Sequence, residues 1–299
     1  MVEIKNVAIV GANGQLGGSI LSALVTTKKF NVTIISRNES SSTFPSDIAV
    51  THADYTSVSS LTTAFKGQDA VISVVGVAGL AGQSILFDAA VAAGVKRFLP
   101  SEFGSDIANA NVAALPCFGP KLNTRKHIEA KIAAGADITY TYVVNGAFLD
   151  WGLKVGFLFA WKDGKPTIYN SGNNEFSTTT LESIGLATVG VLSHYEETKN
   201  RSVYVESIRI TMNKMLELAQ KAMPEKTFTP IQVDLADVKK ASDEGFAKGD
   251  FSGALGYVYC SIFGGQTYDM PFSKIDNELL GVPCKTEADV ESIFRSLNA

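Results

Sequence analysis

Three regularly spaced glycines are the first residues in this chain whose type and spacing suggest chemistry. In Gly11-Ala12-Asn13-Gly14-Gln15-Leu16-Gly17 they follow the apolar run Val7-Ala8-Ile9-Val10 and precede a stretch of helical character. A strand, a tight turn and a helix N-terminus in that order bring backbone N–H groups to one point, which suits a pyrophosphate. The spacing is G-x-x-G-x-x-G, a partial match to the commoner G-x-G-x-x-G, and glycine-rich turns also simply join strands to helices. About twenty residues further on, where a dinucleotide site meets the adenosine ribose, the strand Val32-Thr33-Ile34-Ile35-Ser36 ends at Arg37. An arginine there accommodates the 2′-phosphate of NADP, with Ser40, Ser41 and Ser42 as further donors; an acidic residue would accept from the 2′-OH of NAD. Glu39 is discordant: if it faces the ribose in place of Arg37, the cofactor is NAD. Asp54, at the next strand end, either reaches the adenine edge or caps a turn.

Two more stretches carry groups fit for a site. Ala70 to Val75 is apolar throughout, as in a strand covered on both faces, and Gly76 at its end lets backbone approach a cofactor. Leu99-Pro100-Ser101-Glu102-Phe103-Gly104 lies at another strand end, before a helix in which Lys121, Arg125 and Ile128 share one face. A lysine serves as an acid or base when it is desolvated and near another cation, and Arg125 is a candidate for that cation. Spacing alone reads Lys121 and Arg125 as solvated charges on the first turns of a surface helix.

The elements that must hold these residues alternate. Leu16, Ile20 and Leu24 mark a helix packed on a sheet. A short strand spans residues 48–51. Ser57 to Phe65 is a helix capped by Ser57, Gln83 to Ala93 is a helix ended by Gly94, and Val95 to Leu99 is a strand. Strand and helix alternate at least four times in the first hundred residues. That pattern means an α/β fold, a Rossmann-type doubly wound parallel sheet, with ligands outside the carboxyl ends of its strands.

At this point the chain resembles a known family, the NmrA-like, isoflavone-reductase-type branch of the atypical short-chain dehydrogenases, which includes phenylcoumaran benzylic ether and pinoresinol–lariciresinol reductases and fungal proteins. The resemblance is carried by the glycine turn, by Val95-Lys96-Arg97-Phe98-Leu99-Pro100-Ser101-Glu102-Phe103-Gly104, by Lys121 to Glu129, and by Ile138-Thr139-Tyr140-Thr141-Tyr142-Val143-Val144-Asn145-Gly146. It is strong over residues 1–150 and faint beyond. It implies a catalytic role for Lys121 and NADPH as cofactor, with Arg37 on the 2′-phosphate and Gly11, Gly14 and Gly17 on the pyrophosphate. The family lacks the Tyr-x-x-x-Lys pair of the main short-chain dehydrogenases. Tyr195 to Lys199 matches that pattern formally, but reads as a surface loop. Two departures stand out: the loop from Ser105 to Pro120 is this protein's own, and the plant enzymes' further basic residue after Arg37 has no clear counterpart among the serines.

Past Gly146 the chain changes character. Phe148, Trp151, Phe157, Phe159 and Trp161 crowd together; such a stripe reads first as core, and it is also the source expected for the apolar walls a substrate needs over a nicotinamide. Trp161 to Pro166 reads as a hairpin-like turn, and Thr211–Ala222, Ala236–Phe246 and Glu287–Leu297 as helices. The division expected is a cofactor domain over residues 1–150 and a smaller α/β substrate lobe over 151–299, whose strands can return to the first domain. Over the whole chain, 299 residues with 45% hydrophobic and 19% charged content make a globular protein, and a net charge of −4 argues against a nucleic-acid surface. Three distant cysteines give neither a metal pair nor a disulfide framework, and no apolar run spans a bilayer, so the cytoplasm is the expected compartment. His127 and His194 lack partners at ligand spacing, so no metal is expected. The resulting expectation is an NADPH-dependent reductase of a small aromatic or conjugated substrate, monomeric or homodimeric. Lys121 is its acid/base, and Gly11, Asn13, Gly14, Gln15, Leu16, Gly17, Arg37, Asp54, Val75, Gly76, Ser101, Glu102, Phe103 and Asn145 surround the cofactor. Phe103, Phe148 and Trp151 face the substrate. The alternative is a non-catalytic NADP(H)-binding redox sensor of the NmrA type, which would not need Lys121.

Overall fold

The computed structural model describes residues 2–38 and 43–298, so Glu39, Ser40, Ser41 and Ser42 lie outside the described residues. The chain opens β1 (Asn6–Val10), α1 (Gln15–Thr26), β2 (Asn31–Arg37), β3 (Ala49–Ala53), α2 (Val58–Ala64), β4 (Ala70–Ser73), α3 (Gln83–Ala92), β5 (Arg97–Leu99), α4 (Ala110–Ala113), α5 (Gly119–Ala133) and β6 (Thr139–Val144). The strand after residue 48 begins at Ala49 and runs two residues past Thr51. The loop from 105 to 120 holds α4 and a short 3-10 turn over Pro116–Phe118. Val7 to Val10 and Ala70 to Ile72 are fully buried, the condition of central parallel strands covered on both faces. Ser57 caps α2 by accepting from the Ser60 amide at 3.2 Å.

The second half continues β7 (Ala147–Phe148), α6 (Leu149–Lys154), β8 (Thr167–Tyr169), β9 (Phe176–Thr179), α7 (Leu181–Ser193), α8 (Tyr195–Thr198), β10 (Arg201–Tyr204), β11 (Ile208–Ile210), α9 (Met212–Ala222), β12 (Ile231–Val233), α10 (Leu235–Ala247), α11 (Ala254–Phe263), α12 (Asn277–Leu280) and α13 (Glu287–Asn298). Seven strands form one parallel sheet in the order β10-β6-β5-β4-β1-β2-β3. The order reverses between β1 and β4, which makes that gap the switch point where ligands bind. The last strand of this sheet, β10, comes from the second half, and so does α7, which packs on α1. They lie so close that a Cβ on Gly185 would come within 2.9 Å of Ser19 O.

The remaining elements enclose a second core that includes Phe159, Trp161, Phe176, Met215 and Phe294. Trp161 to Pro166 forms a turn but no hairpin. The strand that follows, β8, pairs in parallel with β12, more than sixty residues later. The turn is tied to that distant segment: the Thr229 amide donates to the Gly164 carbonyl at 2.7 Å, and the Ile231 amide to Pro166 O at 2.9 Å. The Tyr195–Lys199 segment is likewise no loop. It begins with α8, where the Tyr195 ring lies 4.4 Å from the Arg97 guanidinium and Lys199 pairs with Glu196. Arg97 opens β5, so this segment sits at the opposite end of the strands from the switch point.

Candidate functional site

The switch point is open because of two glycines. Gly11 follows β1 with φ +88°, and a Cβ there would stand 2.4 Å from Val74 O just past β4, so the two strand ends can meet only as bare backbone. Gly17 lets α1 close onto the turn; a Cβ at that position would be 2.1 Å from Gly11 O. Gly14 precedes α1 and no side chain caps the helix, so the N-terminal end of α1 is available to an anion. A cleft of about 560 Å³ opens in front of it, lined by Gly11, Asn13, Gly14, Arg37, Val75 and Gly76 and walled also by Phe44, Tyr55 and Thr56. A Cβ on Gly76 would meet nothing within 4 Å, so this wall too is plain backbone facing open space. The residues therefore fit a dinucleotide: an uncapped helix end for the pyrophosphate, an exposed arginine at the end of β2, and an aromatic slot beside it.

The other proposed cleft residues fall in different places. Leu16 and Gly17 are buried in the packing of α1. Gln15 lines a separate groove with Asp150 and Glu182. Asp54 is occupied by its own turn, its Oδ1 accepting from the Thr56 amide at 2.8 Å and the Thr56 hydroxyl at 2.7 Å; those bonds hold its carboxyl below the usual range. Of the two readings open for Asp54, the turn cap is the one present, and Tyr55 and Thr56 take the place beside the cleft. The Tyr55 hydroxyl donates to Ile35 O at 2.5 Å, and burial pushes its phenol up to about 12. Tyr55 lies two residues past the end of β3, where the strand-end rule points; only its aromatic type gave no clue to its role.

At Val75 the cleft wall is tied to the end of β5. The Ser101 hydroxyl donates to Val75 O at 2.8 Å, and the Ser101 amide donates to Gln83 Oε1 at 2.6 Å. Gln83, fully buried at the start of α3, thus ties the cleft wall to the β5 end. Glu102 faces inward: 1% exposed, its Oε2 accepts from Arg125 Nε at 3.1 Å and Nη2 at 2.9 Å. Its side chain is the counterion of Arg125, which reaches it from one turn inside α5. Phe103 is 7% exposed and packs in the same core cluster as Leu99 and Val143, so it presents little surface to a substrate. The Gly104 carbonyl accepts from the amides of Asn145 at 3.2 Å and Gly146 at 3.0 Å, which brings the end of β6 beside this bend. Asn145 is fully buried, and its Oδ1 has no partner among the described residues.

Lys121, in the first turn of α5, donates from Nζ to the Glu102 carbonyl. Lys121 as a whole is half-buried, and its ammonium end lies against the Glu102–Gly104 bend, in surroundings that desolvate it. That desolvation pushes its pKa below the ordinary lysine value; Arg125 acts in the same direction, and the Glu102 carboxylate opposes them. Spacing had placed Lys121 among solvated charges. It is instead a half-buried lysine whose ammonium is desolvated and lies near Arg125. Past Asn145, half-buried Phe148 and Trp151 meet edge to face at 6.1 Å, and the row continues through Phe157 to Tyr259. Phe159 and Trp161 of the same stretch are buried and serve the core. Among the described residues no group of three His, Cys, Asp or Glu could hold a metal ion, and no helix is long and apolar enough to cross a membrane.

Strand order, switch-point cleft and enclosed lysine define a doubly wound α/β protein with a site along its strand ends. The chain belongs to the NmrA-like family, whose model matches residues 3–249. It is 35% identical over 291 residues to an oxidoreductase of Aspergillus flavus, covering 95% of this chain and 96% of that one. An isoflavone reductase homolog of Zea mays is 33% identical over 240 residues, covering 73% and 74%. Among solved structures, AtPrR2 with NADP+ and (+)pinoresinol superposes with a TM-score of 0.78 at 25% identity, over 98% of this chain and all of the other.

Proposed function

We propose that this protein is an NADPH-dependent oxidoreductase that reduces a small aromatic or conjugated molecule, with Lys121 as its acid/base group. The observation that carries the proposal is the enclosed ammonium of Lys121, tethered to the β5 end and next to Arg125. The similarity to a fungal oxidoreductase along nearly the whole chain, and to a reductase structure holding NADP+, supports the reaction class and the cofactor. Residues 1–150 hold the dinucleotide and 151–299 supply most of the substrate wall. The α1 N-terminus and the backbone of the glycine turn bind the pyrophosphate, and Arg37 takes the 2′-phosphate. The nicotinamide, when bound, supplies the hydride. Ser101 and Gln83 keep the β5 end fixed against the cleft wall. Lys121 Nζ gives a proton to, or takes one from, a substrate oxygen or nitrogen. Phe148 and Trp151 orient a flat substrate and exclude water from it.

A sensor that only bound the dinucleotide would have no use for a desolvated lysine, which costs stability. The test is Lys121→Ala, assayed for NADPH oxidation against a panel of lignans and other aromatic ketones, ethers and alkenes. NADPH affinity should stay within a few-fold of wild type and oxidation should be lost. Retained oxidation would move the chemistry to another residue.

A further inference from the structure

Glu102 meets Lys121 through its backbone, where its carbonyl accepts from the Lys121 ammonium, and its carboxylate charge also acts on that ammonium. That carboxylate is bound on one side only. Oε2 takes both Arg125 donors, while Oε1 is buried and has no partner among the described residues. Arg125 is itself fixed, its guanidinium lying 4.3 Å over the Tyr142 ring. The Glu102–Arg125 ion pair is therefore buried and held, and it cannot swing away toward water. At Gly104 a Cβ would stand 3.8 Å from Lys121 Nζ, so the ammonium rests against the bend that Glu102 opens.

The other titratable groups around this cluster hold their protons or are engaged. Cys117, in the turn ahead of α5, is pushed up to about 12 by burial. From β6, the Tyr142 hydroxyl donates to Glu129 Oε1 at 3.2 Å. From β10, the Tyr204 hydroxyl donates to Asp106 Oδ2 at 2.8 Å. Glu102 and Arg125 are left as the charges that act most directly on Lys121.

We propose that Glu102 is a positioning residue for Lys121: its carbonyl fixes the direction of the ammonium, and its carboxylate, balanced by Arg125, sets how much of Lys121 carries a proton. The proposal rests on the reading of Lys121 as the proton-transfer group. The carboxylate favours the ammonium, as a proton donor needs, and Arg125 favours the free amine, as a base needs. Deleting either charge moves Lys121 in opposite directions.

The experiment titrates Lys121 directly. The whole protein is trace-labelled with acetic anhydride across pH, and the peptide containing Lys121 is quantified by mass spectrometry. In Glu102→Gln the titration midpoint should fall by about one pH unit or more, a tenfold rise in free amine on the acid side. In Arg125→Gln it should rise, and Arg125→Lys should return it toward wild type. A midpoint in Glu102→Gln that stays put or rises, with a native circular dichroism spectrum, overturns the proposal. If Glu102→Gln does not fold, the arginine pair decides: a rise in Arg125→Gln that Arg125→Lys reverses supports it, and no rise refutes it. The labelling needs no turnover. Activity surviving in Lys121→Ala would thus remove the catalytic reading while leaving these midpoints as measured.

Discussion

Replacing Arg37 by alanine should remove most of the preference for NADPH over NADH. Arg37 is the last residue of β2, exposed at the cleft, and among the described residues no carboxylate pairs with its guanidinium. A 2′-phosphate placed there gains a charge-assisted bond with the guanidinium. Hydrogen bonds to charged groups contribute about 1.5–3 kcal/mol, and exposure to solvent favours the lower end, about 1.5 kcal/mol. That corresponds to about a tenfold loss of NADPH affinity, with NADH affinity unchanged, since NADH presents only a 2′-hydroxyl. Because the contact is exposed, the wild-type preference should also shrink as ionic strength rises from low salt, and the variant should lack that dependence. Calorimetric titration of both nucleotides into both proteins at two salt concentrations measures all of this. An equal loss for NADPH and NADH would show that Arg37 shapes the cleft without reading the phosphate, and an unchanged ratio would remove it from cofactor recognition.

Gly17→Ala should weaken both nucleotides and the fold together. The new Cβ would lie 2.1 Å from Gly11 O and 3.0 Å from Ala12 Cα, both backbone atoms that cannot rotate away, for a cost of about 1–3 kcal/mol in a denaturant titration. Wild-type stability there would contradict the close approach. Lys121 should leave a mark on the pH dependence of stability. Its pKa is lowered on folding, so between that lowered value and the ordinary 10.5 the unfolded chain binds the extra proton, and this group makes stability rise with pH across that window. The stability of wild type minus that of Lys121→Met should therefore climb between neutral and alkaline pH. A flat difference would mean that the ammonium is hydrated.

Much of the first hundred residues could be read in advance because their patterns are local. An apolar run, a glycine turn and a helical stripe each declare themselves within a dozen residues, and Arg37 follows from counting to the next strand end. Asp54 was ambiguous because the choice between cap and contact depends on Thr56 two residues away. The enclosure of Lys121 is not local: it arises where the β5 end, the Pro116–Phe118 turn and α5 meet, and spacing on one helix cannot show that. The family resemblance gave a separate reason to look at Lys121, a catalytic role, which the geometry leaves as a proposal. The ion pair between Glu102 and Arg125 is hidden for the same reason, since the two lie 23 residues apart. The parallel pairing of β8 with β12 joins segments more than sixty residues apart, and no short-range turn signal carries that information.

The most direct measurement of the account is a crystal structure with NADP+. The account predicts the 2′-phosphate on Arg37, the pyrophosphate on the α1 N-terminus, and the nicotinamide over the Ser101–Phe103 bend with Lys121 Nζ within reach of a substrate seated against its C4 face. A nicotinamide directed away from Lys121, or an adenosine end remote from Arg37, would contradict it.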